Sequence, residues 1–332
     1  MEIVFTECVA VMDESSVGAV RRSAQSAAQR LDFSESQSGE LALLATEASR
    51  NVLLHGGGGQ VVLTGRRNHD QAAAHILAMD KGPGITDVAQ AMGDGFSTTG
   101  TMGGGLGAMK RMAGLHEIFT GRGGTIVLLQ VGRTASQGPL EVAGLAVPYP
   151  GEQLCGDAWE YACSPDRTLT RVVDGLGHGW EAAEAAQEAV AVFRKRQQSH
   201  PGEIIGYIHD GLRKTRGAVA AVAEIFPREG RMVYAGVGNI SAVVLSHDKS
   251  RSLVSHNGTL GVAAPRIQEF KSEWPMDGVL VVHSDGLQSR WDLSSTSYPG
   301  LLARHPALIG GALLRDFRRH RDDASVVVVK AA

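Results

Sequence analysis

Between Gly132 and Pro139 the chain reads GRTASQGP, a small and polar stretch that parts two segments of different hydrophobic texture. Before it, two helical patterns precede strand-like runs. After it, short strand-like runs dominate and helical patterns only interrupt them. A chain that changes period in this way folds as two bodies, and 332 residues are enough for each to bury its own core. The expected division is a domain over residues 1–133, a linker over 134–144 and a second domain over 145–332.

In the first segment a strand over Ile3 to Val9 leads to Asp13-Glu14-Ser15-Ser16, which caps a helix running to about Leu31. Ser34 and Gln37 fit a capping box for a long helix carrying Leu41, Leu44, Ala48 and Val52 on its apolar face. Gln60 to Thr64, Ala74 to Met79 and Thr125 to Val131 read as strands, so a helical layer on one face of a sheet is expected. In the second segment strands are expected at Thr168 to Val173, Val219 to Ile225, Arg231 to Ala235, Ile240 to Leu245, Val279 to His283 and Ser325 to Val329. Helical patterns at Trp180 to Arg196, Pro201 to Lys214 and Leu301 to Arg319 would cover two sheets. The fold class is therefore α+β.

Charge and cysteine use narrow the setting. The chain has 32 Lys and Arg against 35 Asp and Glu, and neither half carries the basic excess of a protein whose main partner is nucleic acid or an anionic membrane. Cys8, Cys155 and Cys163 are spaced for neither a zinc site nor a disulfide framework, which suits a reducing cytoplasm. No apolar run approaches the roughly 20 residues of a membrane helix, and Met1-Glu2-Ile3-Val4 lacks the basic start of a signal peptide.

Three features of the first segment carry chemistry when taken together. Glu47 and Asn51 are one helical turn apart, with His55 a turn further on, so an acid and an amide share one face. Alone they read as solvated polar positions; beside a nucleotide they are a base and a metal-facing amide. Asp80-Lys81-Gly82-Pro83-Gly84 follows a strand, where the acid can accept from an adenine amino group and the glycines let backbone approach a ring, although an ordinary turn explains the glycines as well. Gly95 to Thr99 and Gly103 to Arg111 form a glycine-rich loop opening a helix, with free N–H groups for phosphate. Gly103, Gly105 and Ala108 also satisfy G-x-G-x-x-A, but no apolar strand leads directly into them and the following strand ends without an acid, so a dinucleotide fold does not fit. A G-x-x-x-x-G-K-[ST] phosphate loop is absent from the sequence.

The order of these motifs, ATEASRNVLLHGGGGQ, then DKGPGI, then GDGFSTTGTMGGGLGAMKRMAG, resembles the GHKL ATP-binding fold over nearly all of residues 1–133, and most closely its RsbT-like anti-sigma and switch serine kinases. The resemblance implies a two-layer α/β sandwich that holds ATP at Asp80, Gly82, Gly84, Gly103, Gly105 and Leu106. It also implies Mg²⁺ on Asn51 and Glu47 as the base toward a substrate hydroxyl. Ala113 to His116 departs from the acidic pair such kinases carry, which bears on how a protein substrate docks. A sensor histidine kinase would need a helical hairpin with an acceptor histidine ahead of the fold, whereas only about 12 residues precede the first helix here.

In the second segment aspartate meets glycine at Asp174, Asp210, Asp277 and Asp285, a dipeptide that is usually just a turn. Asp174 and Asp285 end buried-strand patterns, whereas Asp210 sits in a helical stretch and Asp277 precedes a strand. Asp157, in Cys155-Gly156-Asp157, and the pair Asp322-Asp323, immediately before a strand pattern, add to them. Carboxylates gathered at strand ends repel one another unless divalent cations lie between them, and such oxygen donors suit Mg²⁺ or Mn²⁺ rather than zinc. Two such ions would hold a hydroxide and the phosphoryl oxygens, which points to phosphate-monoester hydrolysis. Neither H-E-x-x-H nor G-x-S-x-G occurs, and the cysteines lack a thiol-phosphatase signature.

GDAWEY, VVDGLGHGWEAAEAA, GVGNISAVVL, NGTLGV, VVHSDGL and RDDASVVVV, in that order, resemble the metal-dependent PPM phosphatases of the SpoIIE/RsbX branch over most of residues 145–330. The resemblance implies a β-sandwich flanked by helices. It implies a two-ion Mn²⁺ or Mg²⁺ centre on Asp174, Asp285, Asp322 and the Gly175 carbonyl, with Asp157 as a further ligand and Asp323 as ligand or neighbour. His178 would orient phosphate or donate a proton. Together the halves imply a kinase and phosphatase acting on a STAS-domain anti-sigma antagonist or stressosome-like protein, with no nucleic-acid or membrane partner and a homodimer left open. A phosphatase whose ATP-binding half only senses nucleotide or binds a partner is the alternative, and a non-catalytic switching module is a third.

Overall fold

The computed structural model describes residues 2–68, 71–93, 105–121, 123–134, 138–247, 249–263 and 266–331. They form two compact units, one made of Met1–Ala135 with Ala303–Arg315, the other of Ser136–Leu302 with Asp316–Ala332. Among the described residues no helix is long and apolar enough to cross a membrane.

The first unit begins with strand β1 (Glu2–Val11) and helices α1 (Glu14–Arg30) and α2 (Glu35–Gly56). Asp13 and Ser34 cap the two helices, each accepting from the backbone N–H three residues on, and Gly57 ends α2 in the left-handed conformation at φ 69°. Strands β2 (Gly59–Asn68) and β3 (Gln71–Asp80), the short helices α3 (Val88–Ala91) and α4 (Leu106–Met112), and strands β4 (Leu115–Gly121) and β5 (Gly124–Gly132) follow. The sheet runs β1-β2-β3-β5-β4 with antiparallel pairing throughout. Val61, Leu63, Ile76, Ala78, Val127 and Leu129 bury one sheet face against Val20, Ala24, Leu41, Leu44 and Ala48 of α1 and α2.

Strand alternation sends Leu77, Met79, Ile126 and Leu128 to the opposite face, and all four are fully buried. What covers that face comes from far along the chain: helix α7 (Pro306–Phe317), whose Gly311 lies so close that a Cβ there would stand 3.0 Å from Leu77 Cδ2, 3.2 Å from Met79 Sδ and 3.3 Å from Ile126 Cγ2. A polar seam borders this contact. His75 meets Arg66 Nη2 through Nδ1 at 2.8 Å and Gln130 Oε1 through Nε2 at 2.7 Å, and its ring stands edge-on to His305. The His305 N–H donates to Glu117, and its Nδ1 accepts from Ala307 at the start of α7.

The second unit is a sandwich of two five-stranded antiparallel sheets. One is ordered β13-β10-β9-β8-β7 and the other β12-β11-β14-β15-β6. Their strands are β6 (Leu140–Val147), β7 (Asp157–Ser164), β8 (Arg167–Gly175), β9 (Ala218–Phe226), β10 (Arg231–Val237), β11 (Ser241–Ser246), β12 (Lys249–Leu253), β13 (Phe270–Glu273), β14 (Val279–His283) and β15 (Ala324–Ala331). Between the sheets the Trp159 indole fills the place where Gly144 has no side chain; a Cβ there would stand 2.2 Å from the ring. Helices α5 (Trp180–Lys195) and α6 (Pro201–Gly211) cover the first sheet through Ala185, Ala189, Phe193, Ile204 and Ile208. β6 starts at Leu140, inside the stretch expected as linker, because its residues Leu140 to Val147 pair along β15.

Candidate functional site

In the first unit the end of α2 presses against Asp80. A Cβ on Gly56 would stand 2.3 Å from the Asp80 Cβ, and one on Gly82 would meet the His55 carbonyl oxygen at 2.8 Å. Asp80 closes β3, is almost fully buried, and its Oδ1 accepts from the backbone N–H of Gly82 at 2.8 Å and of Thr125 at 3.1 Å. Those bonds hold the carboxylate through Oδ1. Gly84 sits at φ 80°, where a Cβ would stand 2.1 Å from the Gly121 carbonyl oxygen, so close backbone packing already demands glycine at positions 82 and 84. Thr120 accepts from the Ile85 N–H and touches Thr125 hydroxyl to hydroxyl, and it and Thr125 are residues that sequence reasoning missed.

Glu47 and Asn51 are half-buried on α2, and Glu47 pairs with Arg50 at 3.3 Å. Gly105 caps α4 with its backbone and Leu106 is the first residue of that helix. Gly103 and most of the glycine-rich loop lie outside the described residues.

In the second unit the strand-end carboxylates come from both sheets. Asp157, first in β7, is directly paired across the ladder with Asp174 near the end of β8. Asp285 follows β14, and Asp322 and Asp323 immediately precede β15, whose start is tied to β14 by the Ser284 N–H donating to the Ser325 carbonyl. Two glycines allow the crowding: a Cβ on Gly286 would stand 1.9 Å from the Asp323 carbonyl oxygen, and one on Gly156 would stand 2.7 Å from Asp323 Oδ2. Gly175, with its N–H on the Gly156 carbonyl, lies beneath the first turn of α5.

Electrostatics record how tightly the acids are gathered. Burial holds the Asp174 carboxyl far above the ordinary carboxylate range, and Asp157, Asp285, Asp322 and Asp323 push it further. Asp157 is raised by burial and by Asp323 and Asp322, while the nearby Ser284 and Ser325 hydroxyls oppose the shift. Both Asp157 carboxylate oxygens are buried without a hydrogen bond of good geometry. Burial also raises Asp285 and Asp323, the latter against N–H donors from Tyr149 and Gly156. Among the described residues no three His, Cys, Asp or Glu side chains stand in ready-made metal geometry. A buried, mutually repelling set of hard oxygen donors is nevertheless the kind of site a divalent cation relieves. Burial, then Asp157 and Asp323, push the Cys155 thiol well above its ordinary value.

His178 lies in the loop between β8 and α5, its Nδ1 3.1 Å from Glu152 Oε1 and its ring stacked on Tyr149. Asp210 is on α6 and Asp277 accepts from the His247 N–H, so neither joins the cluster. Asn239, Tyr149 and Glu152 border the site without having been singled out in the sequence; only Asn239 falls inside a motif, GVGNISAVVL.

The sequence of this half decides the family, because residues 164–332 match the model of Stage II sporulation protein E (SpoIIE). The chain belongs to the SpoIIE family. In this SpoIIE-family chain residues 11–131 match the Histidine kinase-like ATPase domain. The serine/threonine-protein kinase RsbT of Bacillus subtilis (strain 168) is 34% identical over 105 residues, which are 32% of this chain and 79% of RsbT. The phosphoserine phosphatase RsbX of the same organism is 23% identical over 140 residues, 41% of this chain and 69% of RsbX. A solved structure described as "The bacterial stressosome: a modular system that has been adapted to control secondary messenger signaling" aligns with a TM-score of 0.53 at 32% identity, covering 57% of this chain and 99% of that one. This SpoIIE-family protein thus joins a GHKL-type, RsbT-like kinase domain to a PPM-type serine/threonine phosphatase domain.

Proposed function

We propose that the chain both adds and removes phosphate on serine or threonine of small STAS-type regulatory proteins in the cytoplasm. The observation that carries the phosphatase half is the convergence of buried carboxylates from two sheets around Asp174. Asp174, Asp285, Asp322 and the Gly175 carbonyl would hold two Mn²⁺ or Mg²⁺ ions, with Asp157 and Asp323 beside them. Bound there, the ions supply a hydroxide at neutral pH and positive charge for the phosphoryl oxygens. The chain's own contribution is to fix these acids from both sheets and to present His178 at the rim, where it orients phosphate or protonates the leaving oxygen.

For the kinase half, Asp80 accepts the adenine amino group through its remaining oxygen while Gly82 and Gly84 lie beside the ring. Gly103, Gly105 and Leu106 meet the phosphates, Asn51 faces Mg²⁺, and Glu47 takes the proton of the substrate hydroxyl. RsbT-like similarity over this unit supports the assignment. The identity with a stressosome structure supports a partner of that kind. The alternative, a phosphatase whose first unit only senses nucleotide, is favoured by the Glu47–Arg50 ion pair, which occupies the acid proposed as base.

The test follows phosphate on a panel of STAS proteins by intact mass with ATP and Mn²⁺. Glu47→Gln should bind ATP yet fail to phosphorylate, and Asp285→Asn should let phosphorylated target accumulate. If no STAS protein gains phosphate even with Asp285→Asn while ATP changes the phosphatase rate, the sensing alternative replaces the kinase.

A further inference from the structure

Two loops of the second unit meet beside the aspartate cluster: Pro148 to Gly156, between β6 and β7, and Leu176 to Gly179, between β8 and α5. Tyr149 does two things there. Its backbone N–H donates to Asp323 Oδ1 at 2.7 Å, and its ring stacks on the His178 imidazole with centroids 4.5 Å apart and planes 13° apart. Glu152 closes the turn by donating its own N–H to the Tyr149 carbonyl at 3.0 Å and sets Oε1 3.1 Å from His178 Nδ1. The turn needs Gly151 at φ 93°. Gly179, at φ 77°, passes so near that a Cβ would stand 3.4 Å from Glu152 Oε1. His178 keeps 51% of its side chain exposed.

We propose that Glu152 and Tyr149 are positioning residues that hold the His178 imidazole with Nε2 turned toward the leaving oxygen of a phosphoserine or phosphothreonine; this rests on the phosphatase reading above. A histidine on a loop between Gly177 and Gly179 has freedom in both its backbone and its χ angles. The Tyr149 stack fixes the ring plane, and the carboxylate opposite Nδ1 fixes which nitrogen points away. Because Tyr149 is anchored on Asp323, the ring is referenced to the acids themselves. In the step served, the P–O bond to the side chain breaks and the leaving oxygen takes the proton from Nε2. The oxygen of a water molecule joins phosphorus, and a proton from that water returns to the ring through solvent.

A serine alkoxide leaves poorly and needs that proton, whereas p-nitrophenolate leaves without one. The measurement is therefore the ratio of kcat on a phosphoserine peptide to kcat on p-nitrophenyl phosphate, in the full chain with Mn²⁺. His178→Ala should lower this ratio at least about tenfold, and Glu152→Ala should lower it by a similar factor. The double variant should fall no further, because the two act as one unit. Glu152→Gln, which still accepts from Nδ1–H, should recover part of the ratio. If His178→Ala lowers the ratio and Glu152→Ala does not, the positioning role is overturned while the phosphatase reading stands. If Glu152→Ala slows both substrates equally, its role is only structural and the proposal fails. If neither variant shifts the ratio, the role of His178 fails and the proposal with it.

Discussion

The side-chain amide of Asn239 donates to Asp285 Oδ2 at 2.7 Å, joining the β10–β11 turn to the second residue past β14. The turn is rigid: Gly238 is at φ 94°, a Cβ there would stand 2.1 Å from Val219 Cγ1, and its N–H donates to the His256 carbonyl at 2.7 Å. A neutral donor thus occupies one oxygen of Asp285, and in the proposed function the other would meet the cation. Asn239→Ala should weaken Mn²⁺ binding by about tenfold, read by calorimetry. Equal Mn²⁺ affinity in variant and wild type would remove Asn239 from the site.

Hydrolysis of a phosphomonoester should stop on chelation and fall by at least about a hundredfold with Asp174→Asn or Asp285→Asn. Asp277→Asn should stay near wild type, since Asp277 lies away from the cluster and accepts the His247 N–H in a turn. Comparable losses for all three would show that position at a strand end carries no meaning.

Asp80→Asn should cost at least about tenfold in ATP affinity, because a charged acceptor becomes an amide. The Gly82 and Thr125 N–H groups would still find the amide oxygen, so circular dichroism should show an intact fold. Unchanged affinity by calorimetry would contradict the adenine assignment.

His75 gives the first unit a pH dependence. Burial, then the charges of Arg66 and His305, hold its pKa well below the ordinary imidazole value, so the folded state keeps it neutral. Glu117 faces His305 rather than His75 and offers no direct relief. Below the unfolded pKa of about 6.5 the unfolded chain binds the extra proton, so stability falls with decreasing pH, by up to about 1.4 kcal/mol per pH unit. His116 in the same unit, also depressed chiefly by burial, acts in the same direction. Denaturant titrations from pH 7 to about 5 should show a smaller loss in His75→Gln. Parallel curves for the variant and wild type would refute this.

Much of the fold was written in local patterns. Asp13 and the Ser34–Gln37 box start helices where their chemistry requires. Asp174 and Asp285 close strands, and their setting separated them from Asp210 and Asp277. β12 and β13 escaped notice because they are short, largely exposed edges without an apolar run, and β4 because LHEIFTG mixes polar and apolar residues without a clean period. Pairing between distant residues is not written locally: nothing in the chain said that Asp157 would stand across from Asp174. Tyr149 and Glu152 act through a loop whose shape has no periodic signature. A signal for the covered sheet was present, since β3 reads AAAHILAMD with no apolar-polar alternation, as strands buried on both faces do. The identity of the covering helix was beyond reach, because its contacts with β3 and β5 span more than half the chain.

That helix ties the order of synthesis to the order of folding. Leu77, Met79, Ile126 and Leu128 leave the ribosome early, yet Gly311 emerges only about 180 residues after Leu128, some 10–35 seconds later at about 5–20 residues per second. Until then an apolar sheet face waits bare on a nascent chain, and a chain cut off before Ala303 would keep it so. The amino-terminal unit, begun first, is closed only by Ala303–Arg315, after most of the second unit has been made, so its apolar face stays open through the synthesis of nearly all the rest of the chain.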